Sequence, residues 1–188
     1  MSTIYLFRHG QTFYNARKIF TGWKNAKLTE LGVRQAKNMA LLLREKSINI
    51  AYRSHLVRIR DTLDAVLKYH PECKQIIIDD RILERSYGKL EGCSHEVTAR
   101  KFGKVQYELW HRDFFTRPPE GESYADVEIR VGKFIKDLQK QYSGKNLGIA
   151  ISASSNSMRL FRKIMEDLTP EETPHLPDSV DTYFEYSI

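Results

Sequence analysis

The chain has 188 residues, 41% of them hydrophobic and 29% charged, a balance that fits one globular domain over residues 1–188, with no repeat, low-complexity tract or linker to divide it. Its 30 lysines and arginines outnumber 24 aspartates and glutamates, giving +6; this suits an anionic substrate, and the absence of any block of cations argues against nucleic acid as a partner. No apolar run approaches the length of a membrane span, Met1-Ser2-Thr3 leads straight into a strand with no signal peptide, and Cys73 and Cys93 lack metal spacing, so a cytoplasmic protein with no membrane partner is expected.

In chain order, Thr3–Phe7 predicts a short buried strand that ends on Arg8-His9-Gly10. Thr29 reads as an N-cap for a helix carrying Val33, Ala36, Ala40 and Leu43 at helical spacing. Ile48–Tyr52 predicts a second strand, Ile59, Leu63, Val66 and Leu67 a second helix, and Ile76–Ile78 a third strand. Residues 80–122 read as irregular with one or two short helices. Val127, Val131, Phe134, Leu138 and Tyr142 form one face of a long helix. Leu147–Ile151 predicts a fourth strand, Met158–Met165 a helix, and Thr182–Tyr186 an edge strand. This alternation predicts the α/β class: a three-layer sandwich with a mainly parallel central sheet and helices on both faces.

In such a sheet, ligands bind beyond the carboxyl ends of the strands. Arg8 and His9 fall at one such end, Ser54 and Arg58 after the next, and Ser152–Asn156 after the fourth strand. A helix starting after a strand offers backbone N–H groups to an anion. Two arginines converging there match a phosphate in forked geometry. A histidine between them is either an electrostatic clamp or a nucleophile.

The segment "FRHGQTFYN" resembles the opening motif of the histidine phosphatase superfamily, in its cofactor-dependent phosphoglycerate mutase branch. The resemblance continues in family order through "FTGWKNAKLTELGVRQA", "YRSHLVRIRDT", "LERSYGKLEG", "RPPEGES" and "SNSMR", and so covers nearly the whole chain. It implies that His9 is the nucleophile and that Arg8 and Arg58 hold the non-bridging phosphate oxygens. Glu84 would be the general acid or base for the leaving oxygen. Gln11, Asn15, Thr21 and Asn156 would add neutral donors, Gly22 would bring its backbone close to the ligand, and Tyr87 would contact the substrate. Tyr87 and Trp23 are equally readable as core aromatics. His95 and Arg112 fall near where mutases place cations for a substrate carboxylate; otherwise histidines 55, 70, 95, 111 and 175 are expected at the surface.

The function implied is phosphoryl transfer through a phosphohistidine on a small phosphorylated substrate. Its leading form is a phosphoglycerate mutase that converts 3-phosphoglycerate to 2-phosphoglycerate, with 2,3-bisphosphoglycerate as priming donor and no permanently bound cofactor. The alternatives are a metal-independent phosphomonoesterase and a phosphate-binding pseudoenzyme. Cationic side chains can stabilise the transferring group without a metal. The oligomeric state is not specified; a homodimer is compatible with the sequence. Residues 92–122 are the candidate lid, short for a site that must exclude water.

One segment departs from the family pattern. Where relatives carry a second histidine followed by glycine, "AISASSNSMR" places Ser154 and Ser155, while Asn156, Ser157 and Arg159 keep register. Serine supplies no imidazolium to the phosphoryl group, and the loss of one such donor is expected to cost about 10²–10³ in rate. Ser155 is expected to add a Cβ where the backbone needs glycine's freedom.

Overall fold

The computed structural model describes residues 1–188. Its elements are β1 (Thr3–Arg8), α1 (Phe13–Ala16), α2 (Glu30–Leu43), β2 (Ile50–Arg53), α3 (Val57–Leu67), β3 (Gln75–Ile78), α4 (His95–Phe102), α5 (Lys104–Arg112), α6 (Tyr124–Tyr142), β4 (Gly148–Ala153), α7 (Ser155–Glu166) and β5 (Tyr183–Ser187). The strands form one sheet in the order β3-β2-β4-β1-β5. The first three pairings are parallel; β5 runs antiparallel to β1 at the edge.

The sequence of β1 explains the layering. Successive side chains point to opposite faces of a strand. Tyr5 and Phe7 join Met39 and Leu43 of α2 and Leu63 and Val66 of α3 in one core. Ile4 and Leu6 join Val127, Val131 and Phe134 of α6 and Leu160 and Phe161 of α7 in the other. Strand β4 is buried at every position, as a central strand covered on both faces must be. Each fully buried Leu, Ile or Phe contributes about 1.5–3 kcal/mol relative to exposure, so the two faces together hold the sheet rigid beneath its loops.

Local signals set the helix ends. The Thr29 hydroxyl accepts from the Gly32 N–H and starts α2; Ser123 and Asp126 form a capping box at the start of α6; Thr12 and Asn15 form another at α1. The second strand begins at Ile50, not Ile48. Ile48 is fully buried in the α2–α3 core but lies outside the ladder, so its apolar character reflects packing and not pairing. Within 80–122, two single 3₁₀ turns (80–82 and 88–90) precede α4 and α5, which are separated by Gly103 at φ +84°. No helix is long and apolar enough to cross a membrane.

Parallel pairing of β1 with β4 brings their carboxyl ends together, with Arg8 opposite Ala153. His9 N–H then donates to the Ala153 carbonyl at 3.2 Å. The residues that follow, His9 and Ser154, therefore leave the sheet side by side.

Candidate active site

His9 and Arg58 meet in the interior. The Nε–H of Arg58 donates to His9 Nε2 at 3.2 Å, and its terminal nitrogens donate to the Gly22 carbonyl at 2.9 Å and the Lys24 carbonyl at 3.0 Å. On the other side of the ring, His9 Nδ1 lies 2.7 Å from the Gly10 carbonyl oxygen, so that nitrogen carries the proton and Nε2 holds the lone pair. Burial, reinforced by Arg58 and Arg8, pushes the imidazole well below its ordinary pKa and keeps it neutral. Burial likewise lowers Arg58, to about 10, against the pull of Glu84; the guanidinium stays charged at neutral pH.

Beside them lies a cavity of about 560 Å³ that reaches Arg8 and Gly22 but is not lined by His9 or Arg58 themselves. Of the residues expected at the site, Arg8, Gln11, Asn15, Thr21, Gly22, Glu84, Tyr87, Ser155 and Asn156 line it. His9, Arg58 and Ser154 are buried at 3%, 1% and 0% exposure. Arg8 is held by burial below the ordinary arginine range, and its Nε has no hydrogen-bond partner. Glu84 accepts from the backbone N–H of Arg85 at 2.8 Å and of Asn156 at 3.2 Å through one oxygen, while the other oxygen takes no hydrogen bond within the protein. Asn156 belongs to the first turn of α7, so this carboxylate sits at a helix N-terminus. Asn15 uses its Oδ1 for the Thr12 cap and leaves its amide N–H groups to a ligand. Gly22 is required for two reasons. Its φ is +50°, and a Cβ there would lie 2.0 Å from a Glu91 carboxylate oxygen. Tyr87 is buried, packs on Phe20 and receives a hydrogen bond from the Asn156 amide at 3.2 Å, so it is both a core aromatic and a cavity residue.

Ser154 occupies the N-cap position of α7 without capping it, and its hydroxyl is buried with no partner. Ser155, by contrast, lies in the first helical turn with negative φ, so the expectation that this position needs glycine is wrong: the helix accepts any L-residue there. Its hydroxyl donates to Asp178.

Asp178 was not expected. Its carboxylate lies 3.6 Å from Arg8 Nη1 and 2.9 Å from an Arg159 nitrogen, within the cavity wall. Burial raises its pKa, but Arg8, Arg159 and Ser155 outweigh that and hold it below the ordinary carboxylate value. Arg159 itself is fixed by the Leu176 carbonyl and by Asn156 Oδ1. The tail residue Asp178 carries no local motif that would have revealed it. Arg159 did keep family register, which was its only signal.

The expectation for the remaining histidines is corrected in part. His55 and His175 are exposed, but His70 is buried against Glu72, and His95 and His111 line the cavity with Lys18, Tyr107 and Arg112. The spacing Tyr107-x₃-His111-Arg112 in an irregular region was the available clue, since positions four apart share a helix face. Trp23 is not a core aromatic: it is 47% exposed, with its indole N–H on the Glu84 carbonyl at 2.8 Å. No group of three His, Cys, Asp or Glu side chains is placed to hold a metal ion.

Residues 4–181 match the model of the histidine phosphatase superfamily (branch 1). The chain is 36% identical over 174 residues to a 2,3-bisphosphoglycerate-dependent phosphoglycerate mutase of Rhizobium etli, covering 90% of this chain and 82% of that protein. It is 33% identical over 175 residues to 2,3-bisphosphoglycerate-dependent phosphoglycerate mutase 2 of Gloeobacter violaceus, covering 92% and 79%. In three dimensions it is similar to a putative alpha-ribazole-5'-P phosphatase from Escherichia coli (TM-score 0.84, 22% identity, 98% of this chain and 90% of that chain). It is also similar to a phosphoglycerate mutase from Bacillus anthracis (TM-score 0.80, 19% identity, 100% and 92%). At those identities the structural likeness establishes the α/β fold.

Proposed function

The chain belongs to the histidine phosphatase superfamily, and we propose that it transfers phosphoryl groups through a phosphohistidine at His9, acting on a small phosphate monoester. The observation that carries this reading is the neutral His9 ring with its Nε2 lone pair directed at Arg58. A phosphate entering there would take over the Arg58 Nε–H, Nε2 would form the bond to phosphorus, and the ester oxygen would leave. Arg58 and Arg8 would neutralise the equatorial oxygens, which is where phosphoryl transfer needs help most. The free oxygen of Glu84 is the group placed to exchange a proton with the departing or attacking oxygen.

The finer reading is a 2,3-bisphosphoglycerate-dependent phosphoglycerate mutase, supported by the relatives of about one-third identity. Arg8, Lys18 and Arg112 all line the cavity, a cationic set compatible with a ligand carrying more than one phosphate. When bound, 2,3-bisphosphoglycerate supplies the priming phosphoryl group. A second reading, a phosphomonoesterase, is favoured by one observation: His95, at the place where the resemblance expects a cation for a carboxylate, is lowered by burial and Arg112 to about 4 and is neutral. Supplying 3-phosphoglycerate with and without 2,3-bisphosphoglycerate, and following 2-phosphoglycerate and free phosphate together, separates the two. Formation of 2-phosphoglycerate that depends on the bisphosphate supports the mutase; phosphate release alone supports the esterase; neither, with no phosphohistidine formed, contradicts the proposal.

A further inference from the structure

Helices α4 and α5 contribute a wall of the cavity whose hydrogen bonds form a closed set. His95 Nδ1 lies 2.9 Å from the Tyr107 hydroxyl, and the same hydroxyl lies 3.0 Å from His111 Nδ1. Tyr107 and His111 are four residues apart on α5, and the His95 ring is fixed by stacking on Phe20 with centroids 3.9 Å apart. The Tyr107 hydroxyl has no other partner, so its one proton goes to one imidazole and its lone pair accepts from the other. The two rings are thereby held in opposite tautomers, whichever of them receives the proton. Neither Nε2 is bonded within the protein, neither is among the buried unpaired atoms, and both residues line the cavity. The wall therefore offers one Nε2–H donor and one bare Nε2 acceptor.

We propose that His95, Tyr107 and His111 form a hydroxyl-reading subsite that selects phosphate monoesters of polyols or sugars over phosphorylated carboxylates. A hydroxyl both donates and accepts, so it finds a match at either nitrogen, and a ligand with two hydroxyls finds one at each. A carboxylate only accepts, so it matches the donor and faces the lone pair of the other ring. The nearby cations do not reverse this. Arg112 is tied to the Pro174 carbonyl at 2.5 Å, and Lys18 is exposed to solvent. Burial and Arg112 also keep both rings uncharged at neutral pH, His95 at about 4 and His111 at about 3. The inference rests on the phosphohistidine reading in its phosphomonoesterase form, and it runs against the mutase form, whose substrate is a phosphorylated carboxylate.

Three small ligands test it by equilibrium binding to the full chain at neutral pH: glycerol 3-phosphate, 3-phosphoglycerate, in which the terminal hydroxyl carbon is a carboxylate, and propyl phosphate, which has no hydroxyl. One neutral hydrogen bond corresponds to roughly threefold to tenfold in affinity. Glycerol 3-phosphate is expected to bind about tenfold tighter than either of the others, and His111→Phe to reduce it to the level of propyl phosphate without changing the affinity for inorganic phosphate. Nitrogen-15 resonances of the two rings give a readout that packing alone would not move: one Nδ1–H and one Nε2–H tautomer in the wild type, and loss of that fixed pairing in Tyr107→Phe. Equal or tighter binding of 3-phosphoglycerate, or identical tautomers at His95 and His111, would overturn the subsite. Failure of inorganic phosphate to bind, or of His9 to become phosphorylated, would instead count against the proposed function.

Discussion

The Nε–H of Arg58 points at Nε2 of His9 from 3.2 Å, at the nitrogen proposed to attack phosphorus. A cation at this distance cannot remain on the lone pair while the bond forms, so it has to pass to a phosphoryl oxygen. Arg58→Lys keeps charge but loses the fork that also binds the Gly22 and Lys24 carbonyls. Its single-turnover rate of His9 phosphorylation is expected to fall by about 10²–10³. An unchanged rate would remove Arg58 from the reaction.

Three imidazoles held in neutral form, His9 buried and His95 and His111 half-buried, make stability depend on acid. The unfolded histidines titrate near the ordinary value of about 6.5. Folded His9 lies well below it, His95 at about 4 and His111 at about 3, burial being the first cause in each. Between the folded and unfolded values the unfolded chain binds more protons, so stability falls as pH drops below 6.5. The thermal midpoint should decline from pH 6.5 towards 4, and less steeply in a variant with His95→Gln and His111→Gln. Parallel slopes for the two proteins would refute this assignment.

Ser154 stands where the family resemblance leads one to expect a histidine, beside His9 at the ends of adjacent strands. Because Ser155 is already helical, Ser154→His needs no accompanying Ser155→Gly. The single change is expected to raise the phosphoryl-transfer rate by about 10²–10³, through a charge-assisted donor to the transition state. The fully buried position has to accept a larger ring, at about 1–3 kcal/mol of stability. A gain in rate that persists when His9→Ala is added would show that the imidazole acts elsewhere.

Asp178 places a carboxylate between Arg8 and Arg159, where an incoming phosphate needs the same cations. Asp178→Asn should tighten inorganic phosphate binding by about twofold to fivefold at low ionic strength, the range of a half-exposed ion pair, and by less in high salt. Titration calorimetry at two salt concentrations reads this directly; weaker binding would mean that Asp178 helps to seat the anion.

The fold was legible because its signals are local. Ile4 and Leu6 against Tyr5 and Phe7 give strand alternation, and Thr29 and Ser123 cap the helices that cover the two faces. The grouping of residues about the cavity was legible where a motif marks them, beside strand ends for Arg8, His9 and Asn156 and a few residues beyond for Arg58 and Glu84; the roles given to them are the proposal. It was not legible where the chain returns from afar. Asp178 reaches Arg8 across most of the sequence, and His111 reaches His95 only because Gly103 allows α5 to fold back on α4. Ile48 misled because burial and strand pairing leave the same apolar mark. The supposed need for glycine at Ser155 came from transferring a sequence pattern to a position whose backbone is ordinary helix.

The central claim is that His9 carries the phosphoryl group. The most direct measurement is transfer of radiolabelled phosphate from a phosphate monoester to the protein, trapped by denaturation in alkali. The account predicts about one label per chain, stable in base and lost in acid as a phosphorus–nitrogen bond must be, on the peptide containing His9, and none in His9→Ala. Label that survives in His9→Ala, or that is stable in acid, would contradict it.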